Sequence, residues 1–121
     1  MKLNAIAHAP EGAETQPPLL VAHGLFGSAR NWNAVARRLA RGRRVVALDM
    51  RNHGDSPHVP EHSYDAMAAD PAEAIAEHAA GEADLLGHSM GGKAAMRLAL
   101  TGEPPLRRLV VADIAPVAYG H

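Results

Sequence analysis

Short apolar runs alternate along this chain with longer segments of helical periodicity. The runs have the length of buried β-strands and are bounded by glycine, proline or charged residues. They occupy residues 3–7, 19–23, 45–49, 85–88 and 109–113. Strands that alternate with helices are typical of an α/β fold, so the sequence predicts a mostly parallel sheet with flanking helices.

Three segments between these runs are predicted to be helices. The first is amphipathic and ends before Gly42. Its apolar residues recur at i, i+3, i+4 and i+7 and are Trp32, Val35, Ala36 and Leu39. The second starts at Ser63, which can cap it, and extends toward Ala80, with Pro71 expected to break or kink it. The third covers residues 90–100.

Composition narrows the possible functions without identifying one. The chain has 121 residues, enough for one domain or part of a larger one, and a formal net charge of −1. This balance argues against a nucleic-acid partner, and the lack of cysteine excludes disulfides, thiol chemistry and Cys-ligated zinc. We expect neither a signal peptide nor a membrane span, and therefore a cytoplasmic protein. The excess of arginine over lysine beside abundant alanine indicates a GC-rich bacterial gene.

The strongest chemical signal is residues 87–91, which read G-x-S-x-G between a predicted strand and a predicted helix. A strand that turns into a helix within one residue forces Ser89 into a strained conformation with its hydroxyl exposed. Gly87 and Gly91 lack the side chains that would clash in such a turn. The amides at the start of the helix point toward any anion that forms beside the serine. The pattern therefore predicts a nucleophilic serine.

A second motif, His23-Gly24 followed by Leu25 and Phe26, comes directly after an earlier predicted strand. Such a loop can supply a backbone N–H, that of Leu25 or Phe26, which would form an oxyanion hole together with the N–H of Met90. Taken alone, the motif also fits an ordinary glycine-containing turn. The two motifs together, in this order, favour the oxyanion hole.

Four segments resemble the hallmark segments of the α/β-hydrolase superfamily, and in particular of the YbfF-type esterases and their mitochondrial relatives. They are residues 23–28 (HGLFGS), 49–56 (DMRNHGDS), 87–93 (GHSMGGK) and 113–117 (DIAPV). The resemblance extends from about residue 3 to residue 119. It implies the N-terminal half of an α/β-hydrolase fold and hydrolysis of a small-molecule acyl ester or thioester through an acyl-serine, without a cofactor.

The resemblance also implies roles for individual residues. Ser89 would be the nucleophile, with the oxyanion hole described above. Asp113 would be the triad acid, placed after the family's sixth strand, and its alternative role is to cap the next turn. The residues that support the loop and the elbow would be His23, Gly24, Gly87, His88 and Gly91.

A catalytic triad also needs a histidine, and in this fold it lies late in the chain. The resemblance therefore implies that residues 1–121 form a single, incomplete domain without the cap, the last strands and the triad histidine. His121 is the alternative base within the chain. His53, His58 and His62 are loosely spaced around prolines, so we predict no metal site.

Two alternatives to an esterase remain. The chain could be a non-catalytic fragment or half-domain that pairs with another chain. Whether the chain is an esterase or such a fragment, the strand at 109–112 is expected to leave an apolar sheet edge through which the isolated chain self-associates. More remotely, residues 87–94 differ by one residue from a phosphate-binding P-loop, because Ala94 stands where that motif needs Ser or Thr.

Overall fold

The computed structural model describes residues 1–24, 27–79, 82–102 and 106–112. Within these ranges the strands are β1 (Ala5–His8), β2 (Leu19–Ala22), β3 (Val45–Leu48), β4 (Ala83–His88) and β5 (Leu106–Ala112). The α-helices are α1 (Asn33–Leu39), α2 (Tyr64–His78) and α3 (Met90–Thr101). A 3-10 turn, Ala29–Trp32, leads into α1. No helix of the described ranges has both the length and the apolar character needed to cross a membrane.

The strands form one sheet in the order β1-β3-β2-β4-β5. Only β1 runs antiparallel to its neighbour, and the other described pairs are parallel. Every residue of β2 and β3 is buried because helices cover both faces of the sheet there, which explains their uninterrupted apolar sequences. The predicted α/β class with a mostly parallel sheet is confirmed.

Alternate residues of the central strands point to opposite faces of the sheet. Leu20 and Val46 pack with the apolar faces of α2 and α3. Val21 and Val45 lie on the other face, in a smaller cluster with Ala36 of α1. The sheet is therefore covered unequally, with two described helices on one face and one on the other. Its carboxyl-terminal edge, where β2, β3 and β4 end, is where the chemically interesting loops begin.

The second helix continues through Pro71, so the expected break is wrong. Proline lacks the N–H that would bond to the carbonyl of Met67, which normally destabilises a helix interior. Here tertiary packing holds both halves, since Met67 before the proline and Ile75 after it are both in the core. Asp70, next to the proline, is also fixed, because it forms a buried ion pair with Arg51. The predicted cap at Ser63 is present, and its hydroxyl accepts the N–H of Ala66 at 3.1 Å.

The last described strand starts three residues earlier than the apolar run predicted. Arg107 is an extra residue in the pairing, because Leu106 pairs with Ala83 and Arg108 pairs with Asp84. The Arg107 guanidinium reaches the Asp84 carboxylate at 2.6 Å, which lets this charged residue belong to a strand. The apolar pattern alone leaves Arg107 and Arg108 outside the predicted strand, because the carboxylate that pairs with Arg107 lies on another strand.

Asp84 is almost fully buried, at 3% exposure, and accepts hydrogen bonds from both Arg107 and Arg43. Burial acts to raise the pKa of Asp84, but the hydrogen bonds from Arg107 and Arg43 outweigh it and hold the pKa below its ordinary value. The cluster ties β4 to β5 and to the segment that precedes β3.

We predict that Asp84→Asn lowers the free energy of unfolding by about 2 kcal/mol at pH 7. This is less than the roughly 3–5 kcal/mol of a fully enclosed pair, because Arg107 is partly exposed. The folded-state pKa lies below the unfolded one, so the wild type loses this stability as the pH falls below about 4. Urea unfolding followed by circular dichroism at pH 7 and pH 3 should show the difference shrinking. The exposed Asp65 is the control, and a difference that stays constant with pH would contradict the prediction.

Candidate active site

Ser89 connects β4 to α3 in a backbone conformation that non-glycine residues rarely adopt. Its φ is 54° and its ψ is −115°, as the strand-to-helix spacing predicted. Hydrogen bonds hold it on both sides. The Ser89 N–H donates to the carbonyl of Ala112 at 3.1 Å, and the Ser89 carbonyl accepts the N–H of Lys93 at 3.1 Å. The serine is therefore fixed at the end of β4 by the neighbouring strand and by the first turn of the helix.

The glycines on either side of Ser89 are required by close backbone approach. A Cβ on Gly87 would collide with the carbonyl oxygen of Gly91 and would lie 2.6 Å from the Cα of Gly92. A Cβ on Gly91 would collide with the carbonyl oxygen of Ala22 at the end of β2. The first turn of α3 therefore packs directly on both β4 and β2, which only glycine permits at these two positions.

The donors expected around Ser89 are only partly within the described residues. Met90 starts α3, so its N–H belongs to the first turn, where no intrahelical acceptor is available. Leu25 and Phe26, the alternative second donors, lie outside the described residues. So do Asp113, the expected triad acid, and His121, the alternative base.

The loop that begins at Gly24 touches the serine elbow. A Cβ on Gly24 would lie 3.2 Å from the Cβ of Ser89 and 3.0 Å from the Nδ1 atom of His88. The Gly24 carbonyl accepts the N–H of Gly27 at 2.9 Å, so these two glycines lie close together. The structure therefore brings together two motifs that start 64 residues apart in the sequence, with the loop start packed against the serine.

His23 uses both ring nitrogens in hydrogen bonds and is 1% exposed. Its Nε2 atom accepts the N–H of Met50 at 2.9 Å, and its Nδ1 atom lies 2.7 Å from the carbonyl of Gly24. Burial lowers the pKa of His23 below its ordinary value. Because both nitrogens are occupied, His23 is not available to take a proton from Ser89.

Asp49, at the carboxyl end of β3, is a site residue that the sequence reasoning did not single out. Its carboxylate accepts the N–H of Ala29 at 2.8 Å, the side-chain amide of Asn4 at 2.8 Å and the N–H of Asp55 at 3.1 Å. Burial acts to raise the pKa of Asp49, but these hydrogen bonds outweigh it and the pKa is lowered. A side chain at Gly54 would collide with the carboxylate, so glycine is required there, but the sequence alone does not indicate the distant partners of Asp49.

The loop after β3 is anchored to α2 by a buried two-point ion pair. The Arg51 Nε atom donates to Asp70 at 2.6 Å and its Nη2 atom donates to the other carboxylate oxygen at 2.9 Å. Arg51 also donates to the carbonyl of Glu61 at 3.0 Å. This pair fixes the segment that carries Asp49 and Met50, and hence the partners of the loop beside Ser89.

An open groove of about 330 Å³ lies beside Gly24 and Gly27, in the loop that follows β2. In it the rings of Trp32 and His88 meet edge to face, with their centroids 5.8 Å apart. The lining residues are His23, Gly24, Gly27, Asn31, Trp32, Val35 and His88.

Two of the three loop histidines considered as metal ligands lie near each other, since the rings of His53 and His62 are 6.0 Å apart. No group of three or more His, Asp or Glu in the described ranges is placed to hold a metal ion.

Comparisons with known proteins agree with this geometry. Residues 17–120 match the model of the α/β-hydrolase fold family. The esterase YbfF of Escherichia coli is 41% identical over 119 residues, which cover 98% of this chain and 47% of YbfF. The mouse sn-1-specific diacylglycerol lipase ABHD11 is 48% identical over 109 residues, which cover 88% of this chain and 36% of the lipase.

A solved structure described as a marine microorganism esterase superposes with a TM-score of 0.87 at 39% identity. It is covered to 44% of its length by 99% of this chain. The chain thus spans about half the length, or less, of the relatives it matches. The resemblance to YbfF-type esterases is confirmed, and the chain, which covers the N-terminal part of the fold, belongs to the α/β-hydrolase fold family.

Proposed function

We propose that this chain provides the nucleophile and the oxyanion hole of a serine hydrolase that acts on acyl esters or thioesters. The observation that carries the proposal is Ser89 at a positive φ between β4 and the first turn of α3. A serine held in this way presents its hydroxyl beside unpaired amides, which suits attack on a carbonyl. The names of the relatives, esterase and lipase, support an acyl-ester substrate.

In the proposed reaction the Ser89 hydroxyl oxygen attacks the acyl carbonyl while a histidine takes the hydroxyl proton. The carbonyl oxygen, on which negative charge develops, accepts hydrogen bonds from the N–H of Met90 and from that of Leu25 or Phe26. The histidine then protonates the departing alcohol or thiol, leaving an acyl-serine that water hydrolyses by the same steps. Asp113 would orient the histidine. Removal of one oxyanion donor typically costs about 3 kcal/mol of transition-state stabilisation.

The base in this scheme is proposed to lie beyond the described residues, in a segment of chain that follows them or in a second chain. His23 is excluded by its two hydrogen bonds. His121 remains the alternative base of this chain.

The test uses a fusion protein, defined as the 121-residue chain joined to the part of Escherichia coli YbfF beyond the aligned region. A fluorophosphonate should form one covalent adduct, found by mass spectrometry on the tryptic peptide that ends at Lys93. Ser89→Ala should abolish the adduct, whereas Ser28→Ala, in the nearby loop, should keep it. An adduct on another residue, or none on a folded fusion protein, would contradict the proposal.

The P-loop alternative is not supported. A P-loop wraps around a phosphate, but here the backbone of Gly91 and Gly92 fills the space next to Gly87. Ala94, where Mg²⁺ would need a hydroxyl, is fully buried. Membership of the α/β-hydrolase family gives the serine elbow a sufficient explanation.

A second candidate, a half-domain that pairs with another chain, is favoured by the edge of the sheet. In the described residues β5 pairs only with β4, and Leu109 and Val110 are 37% and 49% exposed. An apolar strand with one unpaired side is a template for pairing with another strand.

We therefore predict that the isolated 121-residue chain self-associates through β5. Light scattering at tens of micromolar should show a mass above that of the monomer, and Val110→Lys should return it to the monomer, because a charge at an edge opposes strand addition. Val35→Lys, which places the same charge on α1 at a position of similar exposure, 44%, is the control. A monodisperse wild-type monomer would rule out this interface.

A further inference from the structure

The loop beside Ser89 is attached at both of its ends to two consecutive residues at the carboxyl end of β3. At the start of the loop, the N–H of Met50 donates to the Nε2 atom of His23 at 2.9 Å. At its end, the N–H of Ala29 donates to the carboxylate of Asp49 at 2.8 Å. None of these four residues is assigned a chemical step in the proposed reaction. Together they form a clamp that sets where the loop lies relative to the serine.

The partners of His23 determine its protonation state. Gly24 offers only a carbonyl, so the Nδ1 atom of His23 must carry the hydrogen and donate it. Met50 offers only an N–H, so the Nε2 atom must accept through its lone pair. The carbonyl of Gly24 also accepts the N–H of Gly27, so both of its lone pairs are used inside the loop. The clamp therefore requires the neutral Nδ1–H tautomer.

We propose that His23 is a positioning residue, which holds the oxyanion loop against Ser89 only while its imidazole is neutral. The inference rests on the proposed function for its catalytic consequence, but the clamp itself is a property of the fold. A proton on Nε2 would face the N–H of Met50, so a buried donor would lose its acceptor and the start of the loop would be pushed from β3.

The surroundings of His23 oppose its protonation. The titratable groups that face it are His53, His88 and Asp49. The His53 ring lies 5.0 Å away, and both histidines would repel a charged His23. Asp49 would attract it, but this attraction is weaker than the effect of burial and than the repulsion from His53. Burial is the largest influence and lowers the pKa of His23 below its ordinary value, so the clamp opens only at acidic pH.

The first test is the tautomer, measured by ¹⁵N NMR of the histidine side chains on the 121-residue chain carrying Val110→Lys, which is predicted to stay monomeric and keeps every residue of the clamp. At pH 7.5 we expect a protonated Nδ1 and an unprotonated Nε2 for His23. As the pH falls, the amide resonances of Gly24, Gly27 and Met50 should shift together with the ring nitrogens. The Nε2–H tautomer, rapid averaging between tautomers, or loop amides that do not follow the ring would each overturn the proposal.

The second test uses three variants of the fusion protein that remove parts of the clamp. The Asn side chain in His23→Asn can still donate to Gly24, and the Gln side chain in His23→Gln can still accept from Met50, but neither titrates. His23→Ala loses both bonds and should lower kcat by about 10²-fold with little change in KM, as expected for a misplaced catalytic loop. His23→Asn should recover at least tenfold of that loss, which a role in bulk packing would not predict.

The acid side of the pH profile separates positioning from structure. In the fusion protein without a substitution, both the histidine proposed as the base and His23 must be unprotonated. The slope of log kcat against pH should therefore change from 1 to 2 as the pH falls. In His23→Asn and His23→Gln the slope should stay at 1. Equal slopes in all three proteins would overturn the proposal. If a fusion protein shown to be folded by circular dichroism is inactive but the NMR titration appears as expected, the clamp stands and the proposed function fails.

Discussion

Gly91→Val should destabilise the fold by at least about 3 kcal/mol, at the upper end of what overpacking costs. The reason is that a Cβ at this position collides with the carbonyl of Ala22, which is part of a parallel strand and cannot move without disturbing its neighbours. Urea unfolding followed by circular dichroism measures the effect. Gly102→Ala is the matched control at the other end of α3.

That control separates backbone strain from collision. Gly102 has a φ of +72°, but a Cβ added there would meet no atom within 4 Å, so alanine should cost only about 1 kcal/mol. Ser89→Ala keeps the same backbone strain and should leave stability nearly unchanged. Ser89→Gly should stabilise by about 1 kcal/mol, because glycine tolerates a φ of 54°. Equal midpoints for Gly91→Val and Ser89→Ala would show that the elbow is not tightly packed.

The strands that could be predicted from sequence are those whose environment is uniform. The sequence of β2 and β3 is apolar at every position because both faces are covered, and their predicted ranges differ from the observed ones by one residue at the end. The start of β5 could not be predicted, because Arg107 belongs to a strand only through a carboxylate on β4. Helix α2 passes Pro71 only because distant residues hold both halves.

The candidate active site also has one feature that local sequence predicts and others that depend on distant residues. The conformation of Ser89 follows from a local rule, since G-x-S-x-G between a strand and a helix leaves one geometry for the turn. The roles of Asp49 and His23 depend on partners 20 and 27 residues away, so no local pattern shows them. From the sequence alone, an aspartate at a strand end is interpreted as a turn residue. Only the structure shows the three hydrogen-bond donors of Asp49. Long-range hydrogen bonding, rather than sequence spacing, sets the position of the loop.

The largest expected effect concerns the histidine that is proposed to serve as the base and to lie beyond the described residues. The 121-residue chain alone should hydrolyse an activated short-chain ester about 10⁶-fold more slowly than the fusion protein, the loss typical of a serine hydrolase without its triad histidine. Without a base the Ser89 hydroxyl stays protonated at neutral pH and is a weak nucleophile, although the oxyanion hole leaves some rate above that of water. Initial rates with a chromogenic ester at matched concentrations measure the ratio.

Two controls locate the base. A fusion protein in which alanine replaces the histidine proposed as the base in its YbfF portion should fall to the rate of the chain alone, and Ser89→Ala in the intact fusion protein should fall as far. These losses should not add when combined, because serine and histidine act as one unit. If the 121-residue chain alone reaches the rate of the fusion protein and His121→Ala removes it, the base lies within this chain and the proposed division of the active site is wrong.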